Sequence, residues 1–337
     1  MLFRSDPTYI IGGILNATGI NAKLGKSDYI VAEADESDAS FLYLKPMLSV
    51  ITNIDEDHME TYEHNYDNLT DAFVRFTSNL PFYGVCVVCV DDQGVQDILK
   101  KIHRPILGYG FSDDANIQAS NVVQKNMQMT FDVNCKKHQQ KFVVTLNLIG
   151  KHNILNALAA IAVAIELEID HKIIQAALDN FSGVSRRLDY HHKIIIKGHA
   201  LPLFDDYGHH PNEIAAVLST LRNTFVKNRL VVIFQPHRYS RTKDLFNEFV
   251  SCLSRVDVLI LLDIYPANED PIHQVTSAAL ADSIRQRSSI DPIVLRNSEE
   301  ILDVLPNVVL AEDVLLTLGA GDVHKIPRQL IEHFGRQ

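Results

Sequence analysis

The chain contains 337 residues, of which 46% are hydrophobic and 22% charged, and its formal net charge at pH 7 is −11. This length accommodates two or three domains of roughly 100–200 residues each, and the composition is typical of a folded globular protein. The acidic balance and the absence of Lys/Arg runs argue against nucleic acid or an anionic membrane as a partner, and no apolar run is long enough to span a bilayer.

Apolar runs alternate with amphipathic stretches through the first part of the chain. Buried strands are predicted at residues 29–33, 48–54 and 85–90, and helices at residues 66–76 and 93–101. This order is typical of a parallel sheet covered by helices on both faces.

The pattern changes at residues 115–149. Alternation of apolar and polar residues at 128–133 and 141–148 predicts antiparallel strands at a sheet edge. Helices are predicted to follow at residues 153–167 and 171–180.

A second α/β block begins near residue 189. Its strands are predicted at residues 194–196, 202–204, 230–234, 256–263, 292–295 and 314–318. Its helices are predicted at residues 212–225, 242–254, 277–287 and 322–333. The fold class expected is therefore α/β, with two doubly wound, mostly parallel-sheet domains at residues 1–187 and 188–337 and a cleft between them.

The four cysteines are predicted to be buried thiols. Cys86 and Cys89 form a CxxC, but both lie in one apolar strand. Residues three apart on a strand point to opposite faces, so this pair is unsuited to binding a metal. With no signal-peptide pattern in the first residues, we expect a cytoplasmic protein with reduced thiols.

Two polar segments follow the first two predicted strands. Residues 33–38 carry four carboxylates, and residues 52–60 contain His58. If the two strands are neighbours, Glu33 and His58 reach the same sheet edge and could share a metal ion, for which Mg²⁺ is the natural candidate. The alternatives are a solvated acidic loop and a His58 that caps the next loop.

Amide and guanidinium groups form the next two candidate sites. Asn153 and Asn156 lie three apart, on one face of a predicted helix, where amides could pair with a base such as adenine. The alternative is that Asn153 caps the helix. Arg186 and Arg187, near the predicted domain junction, suit phosphate binding or a surface ion pair.

Polar segments also follow strands of the second block. In DDYGHHP, Asp206 could accept hydrogen bonds from ribose hydroxyls or from a bound water, whereas the adjacent histidines are not expected to bind a metal. In QPHRYSR, Arg238 and Arg241 suit a carboxylate. The Gly-rich turn GAGD at residues 319–322 is a weak signal taken alone.

A phosphate-binding loop of the type G-x-x-x-x-G-K-[ST] is not found. The nearest match runs from Gly19 to Gly25–Lys26–Ser27, but it has five intervening residues and precedes a strand instead of following one.

Taken together, these segments resemble the Mur ligase family, and within it the members that join L-alanine to UDP-N-acetylmuramate. The segments carrying the resemblance are YIVAEADESDASF, VITNIDEDHMETY, LPFYG, GKHNILNALAA, SRRLD, DDYGHHPNE, QPHRYSRT and LGAGDVHKI. The resemblance implies that residues 1–187 are most of a central ATP-binding domain and that residues 188–337 are a C-terminal Rossmann-like domain.

The resemblance also implies an ATP-dependent amide ligation through an acyl phosphate, with ATP and Mg²⁺ as cofactors. Glu33 and His58 are then the expected magnesium residues and, with Arg187, the expected catalytic residues. Asn153 and Asn156 are expected to contact adenine.

In the second block, the resemblance places Arg187 at the ATP phosphates and Asp206 near the ribose. Arg238 and Arg241, helped by His209 or Tyr207, are expected to bind the alanine carboxylate. The small-molecule partners expected are UDP-N-acetylmuramate, L-alanine and ATP, for a monomer or homodimer.

One feature separates the alanine-adding branch from several sibling ligases, which hold a magnesium ion with a carbamylated lysine. No lysine occurs between Lys45 and Lys100. The alternatives are a murein-peptide recycling ligase, or a non-catalytic remnant that binds nucleotide or a partner. Because the phosphate loop and the UDP-binding domain are missing from these 337 residues, we expect the chain as given to be inactive.

Overall fold

A computed structural model describes residues 6–137 and 139–335, and the chain forms two compact units, residues 1–183 and 184–337. The predicted boundary at residue 187 lies four residues after the first unit ends. Within the described residues, no helix is both long and apolar enough to cross a membrane.

The first unit alternates strands and helices as the apolar pattern predicts. Its strands are β1 (Thr8–Ile10), β2 (Ala22–Lys23), β3 (Ile30–Ala32), β4 (Leu48–Ile51), β5 (Val85–Cys89), β6 (Ile106–Gly110), β7 (Ile117–Lys125), β8 (Gln128–Cys135) and β9 (Gln140–Leu146). Its α-helices are α1 (Tyr66–Ser78), α2 (Gln93–Leu99), α3 (Lys151–Glu166) and α4 (His171–Asp179). Short 3-10 helices occur at Ser40–Tyr43 and Met59–Tyr62.

The strands of this unit form two sheets. The larger sheet has the order β4-β5-β6-β7-β8-β9, parallel from β4 to β7 and antiparallel from β7 to β9. The predicted antiparallel edge is thus confirmed. The smaller sheet has the order β2-β1-β3. The condition under which Glu33 and His58 would reach one sheet edge, that the strand near residue 30 neighbours the strand near residue 50, is not met, because β3 pairs with β1 and β4 belongs to the larger sheet.

The larger sheet is buried on both faces. β5 is buried at every position, which is typical of a central parallel strand. Helices α1 and α2 supply residues to the core on one face, and α3 and α4 to the core on the other. Cys86 lies in the first core and Cys89 in the second, so the two thiols of the CxxC point apart as predicted.

The second unit is built around one mostly parallel sheet. Its strands are β10 (Asp189–Ile196), β11 (His199–Asp206), β12 (Leu230–Phe234), β13 (Val258–Leu262), β14 (Ile293–Leu295) and β15 (Val314–Leu318). Its α-helices are α5 (Pro211–Thr224), α6 (Tyr239–Asp244), α7 (Phe246–Leu253), α8 (Ser277–Arg287), α9 (Ile301–Val308) and α10 (Ile326–Phe334). A 3-10 turn at Asp322–Lys325 precedes α10.

The strand order β10-β11-β15-β12-β13-β14 brings three carboxyl ends together. β11, β15 and β12 are adjacent and parallel, so the loops that follow them emerge at one edge of the sheet. Only β10 runs antiparallel to its neighbour among the strands of this sheet in the described residues. The α/β fold class is confirmed.

Two helices of this unit differ from the sequence prediction. The helix expected at residues 242–254 is divided into α6 and α7 at Leu245, which belongs to neither. Helix α9 was not predicted, and it contains Pro306. Proline inside a helix removes a backbone donor, so local sequence disfavours a helix that tertiary packing of Ile301 and Leu305 supports.

Candidate functional site

The two acidic segments of the first unit lie side by side, although the strands before them belong to different sheets. The Tyr62 hydroxyl donates a hydrogen bond to the carbonyl of Glu36 (2.5 Å), and Thr61 Oγ1 donates to the carbonyl of Ser37 (2.5 Å). Burial raises the pKa of Tyr62 to about 12, and the charges of Glu36 and Asp35 add to this effect. The phenol therefore stays protonated and remains a donor.

Glu33 is held by the first strand of the smaller sheet. Its Oε2 atom accepts a hydrogen bond from the backbone N–H of Gly12 (2.5 Å), and its own N–H donates to the carbonyl of Ile10 (2.9 Å). Oε1 has no hydrogen-bond partner among the described residues. One carboxylate oxygen of Glu33 is thus fixed and the other remains available.

His58 lies next to Glu36 and Asp57 instead of pairing with Glu33. Its Nε2 atom is 3.5 Å from Asp57 Oδ2. Burial raises the pKa of Glu36, while a backbone hydrogen bond and the charge of His58 lower it. His58 also occupies the N-cap position of the 3-10 helix Met59–Tyr62, but without a side-chain capping bond.

A complete metal cluster is not formed by protein side chains alone. Within residues 6–137 and 139–335, no three His, Cys, Asp or Glu side chains converge closely enough to hold an ion. The assignment of Glu33 and His58 to magnesium stays a prediction, and Glu36 and Tyr62 are neighbours that sequence reasoning missed.

The paired asparagines occupy the first turns of α3. The N-cap is Gly150, with a φ of 100°, so the alternative that Asn153 is the capping residue is wrong. Asn153 is buried and its Nδ2 atom donates to the carbonyl of Ile149 (2.8 Å), whereas Asn156 is exposed. Contact of both amides with adenine stays a prediction.

Arg186 ties two strands of the second unit together. Its Nε atom is 3.2 Å from Asp205 Oδ2, and its Nη2 atom donates to the carbonyl of Gly319. Asp205 is buried and also accepts from Thr317 Oγ1 (2.6 Å). Burial raises the pKa of Asp205, and the bond from Thr317 and the charge of Arg186 oppose that rise. Arg186 therefore fills a structural position at the ends of β11 and β15.

Arg187 is the more accessible of the two arginines, with a side chain 56% exposed. Its Nη1 atom lies 3.6 Å from Glu213 Oε1, which is the surface ion pair considered as the alternative to phosphate binding. Its guanidinium also lies 5.8 Å from the centre of the Tyr207 ring. An exposed pair of this kind leaves the guanidinium able to reach a ligand.

Asp206 is buried, and both of its carboxylate oxygens are occupied. Oδ2 accepts from the N–H of Leu188 (2.7 Å) and Oδ1 from the N–H of Gly208 (2.7 Å). Burial raises the pKa of Asp206 to about 6, in spite of these bonds. A contact of Asp206 with ribose stays a prediction. Its two hydrogen bonds fix the backbone at Leu188, directly after Arg187, and at Gly208, directly before His209.

An aromatic and imidazole group follows β11 and β12. The ring centres of Tyr207 and His209 are 5.2 Å apart, and those of His209 and His237 are 6.0 Å apart. His210 faces elsewhere: it is buried and caps α5 by accepting from the N–H of Asn212 (3.3 Å). The side chains of His209 and His210 thus have different neighbours, and the expectation that the pair binds no metal stays a prediction.

The two arginines after β12 border this group. Arg241 Nη1 is 3.5 Å from His237 Nδ1, and Arg238 Nη1 is 3.8 Å from Glu269 Oε1. Burial, together with the charges of His209 and Arg241, lowers the pKa of His237 to about 4, so this ring is neutral at neutral pH. The predicted residues Tyr207, His209, Arg238 and Arg241 are thus brought to one sheet edge.

Sequence reasoning missed three residues at this edge: His237, Tyr265 and Glu269. His237 stands inside the QPHRYSR segment, and Tyr265 and Glu269 follow β13 in a further polar stretch after a buried strand. A polar segment directly after a buried strand was the pattern that selected the residues after β12, and the same pattern occurs after β13.

Comparison with known proteins assigns a family description to each unit. Residues 12–164 match the Mur ligase middle domain, and residues 186–321 match the domain described as Mur ligase, glutamate ligase domain.

Among characterised relatives, the chain is 62% identical over 325 residues to the UDP-N-acetylmuramate–L-alanine ligase of Vesicomyosocius okutanii, covering 96% of this chain and 69% of the relative. It is 60% identical over 329 residues to the ligase of the same name from Ruthia magnifica, covering 98% of this chain and 70% of the relative. The crystal structure of UDP-N-acetylmuramate–alanine ligase from Thermotoga maritima superposes with a TM-score of 0.79 at 25% identity, covering 98% of this chain and 69% of that one.

Proposed function

The chain belongs to the Mur ligase family, and on that premise we propose that it joins L-alanine to the carboxylate of UDP-N-acetylmuramate in an ATP-dependent step of peptidoglycan precursor synthesis. The observation that carries the proposal is identity of 60–62% with ligases of that name over nearly the whole chain. The candidate side chains that follow β11 and β12 support the proposal, because they include the guanidinium groups of Arg238 and Arg241, which suit the carboxylate of an amino acid.

The acidic segments of the first unit fit a magnesium ion. Mg²⁺ prefers oxygen ligands and is commonly bound by one or two carboxylates together with substrate phosphates. The available Oε1 atom of Glu33 satisfies this preference, and His58 lies at the neighbouring segment. The ion would supply positive charge against the ATP phosphates, and Glu33 and His58 would hold it in place.

The nucleotide base and phosphates are assigned to α3 and to Arg187. Asn156 is exposed on the helix surface, and Asn153 is fixed one turn earlier by its bond to Ile149. Arg187 would exchange its pairing with Glu213 for ATP phosphate oxygens. Asp206 would act beside the ribose by fixing residues 188 and 208.

The amino acid is assigned to the edge formed by β11 and β12. Arg238 and Arg241 would bind the alanine carboxylate, while Tyr207 and His209 would border the rest of the molecule. We propose that ATP phosphorylates the sugar-acid carboxylate, with release of ADP, and that the amine of alanine then attacks this acyl phosphate, so that an amide bond forms and inorganic phosphate leaves. The residues of the chain bind and orient, which is the main demand of phosphoryl transfer.

The test is phosphate release by the protein expressed from its complete gene, with ATP and UDP-N-acetylmuramate and with either L-alanine or the murein tripeptide. We expect L-alanine to support release and to yield a product heavier by one alanyl residue. Release with the tripeptide alone would assign the recycling reaction instead. No release with either amino component would leave only a binding function.

A further inference from the structure

The segment after β12 that carries both candidate carboxylate-binding arginines has a strained backbone. We name residues 237–241 the arginine turn. Arg238 within it has φ 69° and ψ 137°. A residue other than glycine rarely adopts a positive φ, and such a backbone conformation persists only where neighbouring groups hold it. The contacts that hold Arg238 therefore fix the direction of its side chain.

The loop after β13 supplies backbone contacts to the arginine turn. We name residues 263–269 the bracing loop. Arg238 N–H donates to the carbonyl of Tyr265 (2.8 Å), and Tyr265 N–H donates to the carbonyl of Pro236 (2.8 Å). These bonds extend the parallel pairing of β12 and β13 beyond the strand ends, with His237 opposite Tyr265.

The Tyr265 ring adds a side-chain contact. It stacks on His237 with ring centres 5.5 Å apart and planes at 8°. His237 in turn lies 3.5 Å from Arg241. Because His237 is neutral, it can accept an N–H of the guanidinium without repelling it. Tyr265 thus fixes the orientation of the His237 ring, and the position of Arg241 depends on that ring.

Glu269 is the residue of the bracing loop that contacts Ser240 and Arg238 in the arginine turn. Its Oε2 atom accepts from the Ser240 N–H (3.0 Å), and its Oε1 atom accepts from Ser240 Oγ (2.6 Å) and lies 3.8 Å from Arg238 Nη1. One carboxylate therefore fixes the first turn of α6 and draws the Arg238 guanidinium toward itself.

The Gly-rich turn after β15 also packs closely against Tyr265. A Cβ atom added at Gly321 would lie 2.7 Å from Tyr265 Cβ and 2.5 Å from Gln235 Oε1. Gln235 Oε1 accepts the N–H of Val323 (2.9 Å). Glycine at this position lets the turn, the bracing loop and the end of β12 meet without a steric clash.

We propose that Tyr265 and Glu269 are positioning residues that orient Arg238 and Arg241 toward the carboxylate of the incoming amino acid, and so set the affinity for L-alanine. The proposal rests on the proposed function, because it names what the bracing loop does for the amino-acid site. It assigns neither residue to the nucleotide or to the sugar acid.

Steady-state kinetics of Glu269→Gln test the proposal in the protein expressed from its complete gene. The glutamine keeps the shape of the side chain but removes the charge next to Arg238. We expect the KM for L-alanine to rise about tenfold or more, because the hydrogen bonds from Ser240 would no longer go to a charged acceptor and Arg238 would lose its ion pair. The KM values for ATP and UDP-N-acetylmuramate should change less than about twofold, because those sites do not use the bracing loop.

Two further variants control for folding and for charge. Asp270→Asn makes the same charge change at the next residue, which is exposed, and should leave all three KM values unchanged. Tyr265→Phe keeps the stacked ring and should behave as the wild type, whereas Tyr265→Leu removes the ring and should raise the KM for L-alanine. If Glu269→Gln does not fold, the comparison of the two Tyr265 variants decides.

The outcomes separate the two proposals. A wild-type enzyme without alanine-dependent turnover would overturn the proposed function and this inference with it. An active wild type whose Glu269→Gln and Tyr265→Leu variants keep a normal KM for L-alanine would overturn the inference alone. Equal losses for all three substrates would also overturn it, since they indicate general disruption of the fold.

Discussion

Asp206→Asn is predicted to change how the stability of the second unit depends on pH. Asp206 is buried, and burial raises its pKa from 3.8 to about 6. The folded state therefore binds a proton more tightly than the unfolded state. The stabilisation from this proton is fully present below about pH 4 and is lost as the pH rises through about 6.

The size of the effect follows from the shift. Two pKa units correspond to about 3 kcal/mol, at 1.36 kcal/mol per unit. Asparagine resembles the protonated acid, because it has one acceptor oxygen and one donor group, and it does not ionise. We therefore expect the free energy of unfolding of Asp206→Asn, minus that of the wild type, to rise by about 3 kcal/mol between pH 4 and pH 7.

Hydrogen exchange, measured by mass spectrometry on peptides from β11, reports the free energy of unfolding of the second unit alone. A whole-chain unfolding curve is less suitable, because a protein of two units need not unfold in one step. Asp270→Asn, an exposed residue, should give a curve parallel to the wild type. A difference between Asp206→Asn and the wild type that stays constant from pH 4 to pH 7 would refute the assignment of the shift to burial.

Two further predictions concern the first unit and the cysteines. Glu33→Ala, in the protein expressed from its complete gene, should lower magnesium-dependent turnover by orders of magnitude and raise the magnesium concentration required for half-maximal rate; an unchanged magnesium titration would remove Glu33 from the metal site. Cys86 and Cys252 are buried, and burial raises their pKa to about 11 and about 12, so neither should react with iodoacetamide at pH 7.5 until urea unfolds the chain. Mass spectrometry of alkylated peptides checks this, and rapid labelling of the folded protein would contradict it.

The buried strands were predictable because each is a short apolar run that tertiary structure buries on both faces. β12 and β15, for example, are buried at every position and agree with the predicted ranges. β3 shows where such reasoning fails. It is only three residues long and partly exposed, and its pairing partner β1 lies about 20 residues earlier, so local pattern did not reveal its sheet.

The candidate site was predictable in position and less so in contacts. Polar residues after buried strands predicted the sheet edge at which the structure places His209 and the segment that carries Arg238, while their roles stay predictions. The contacts among His237, Tyr265 and Glu269 arise from the pairing of β12 with β13, which joins residues about 30 positions apart. The sequence alone located Arg238 and Arg241. Tyr265 and Glu269, which we propose orient them, could be identified only from the pairing of β12 with β13.

The net charge of the chain is negative, whereas the candidate carboxylate-binding side chains Arg238 and Arg241 are cationic. The whole chain carries −11, yet each proposed substrate has a carboxylate or phosphate group to be bound. At physiological ionic strength, charges farther than about 8 Å from a ligand are largely screened, so the nearest groups decide binding. In the described part of the chain, Arg187 forms an ion pair with Glu213 and Arg238 forms one with Glu269. Glu269 reduces the local positive potential, but it also restricts the direction of the Arg238 guanidinium, so less side-chain entropy is lost when an anionic group binds. Affinity at this edge should therefore depend more on the orientation of the arginines than on their number.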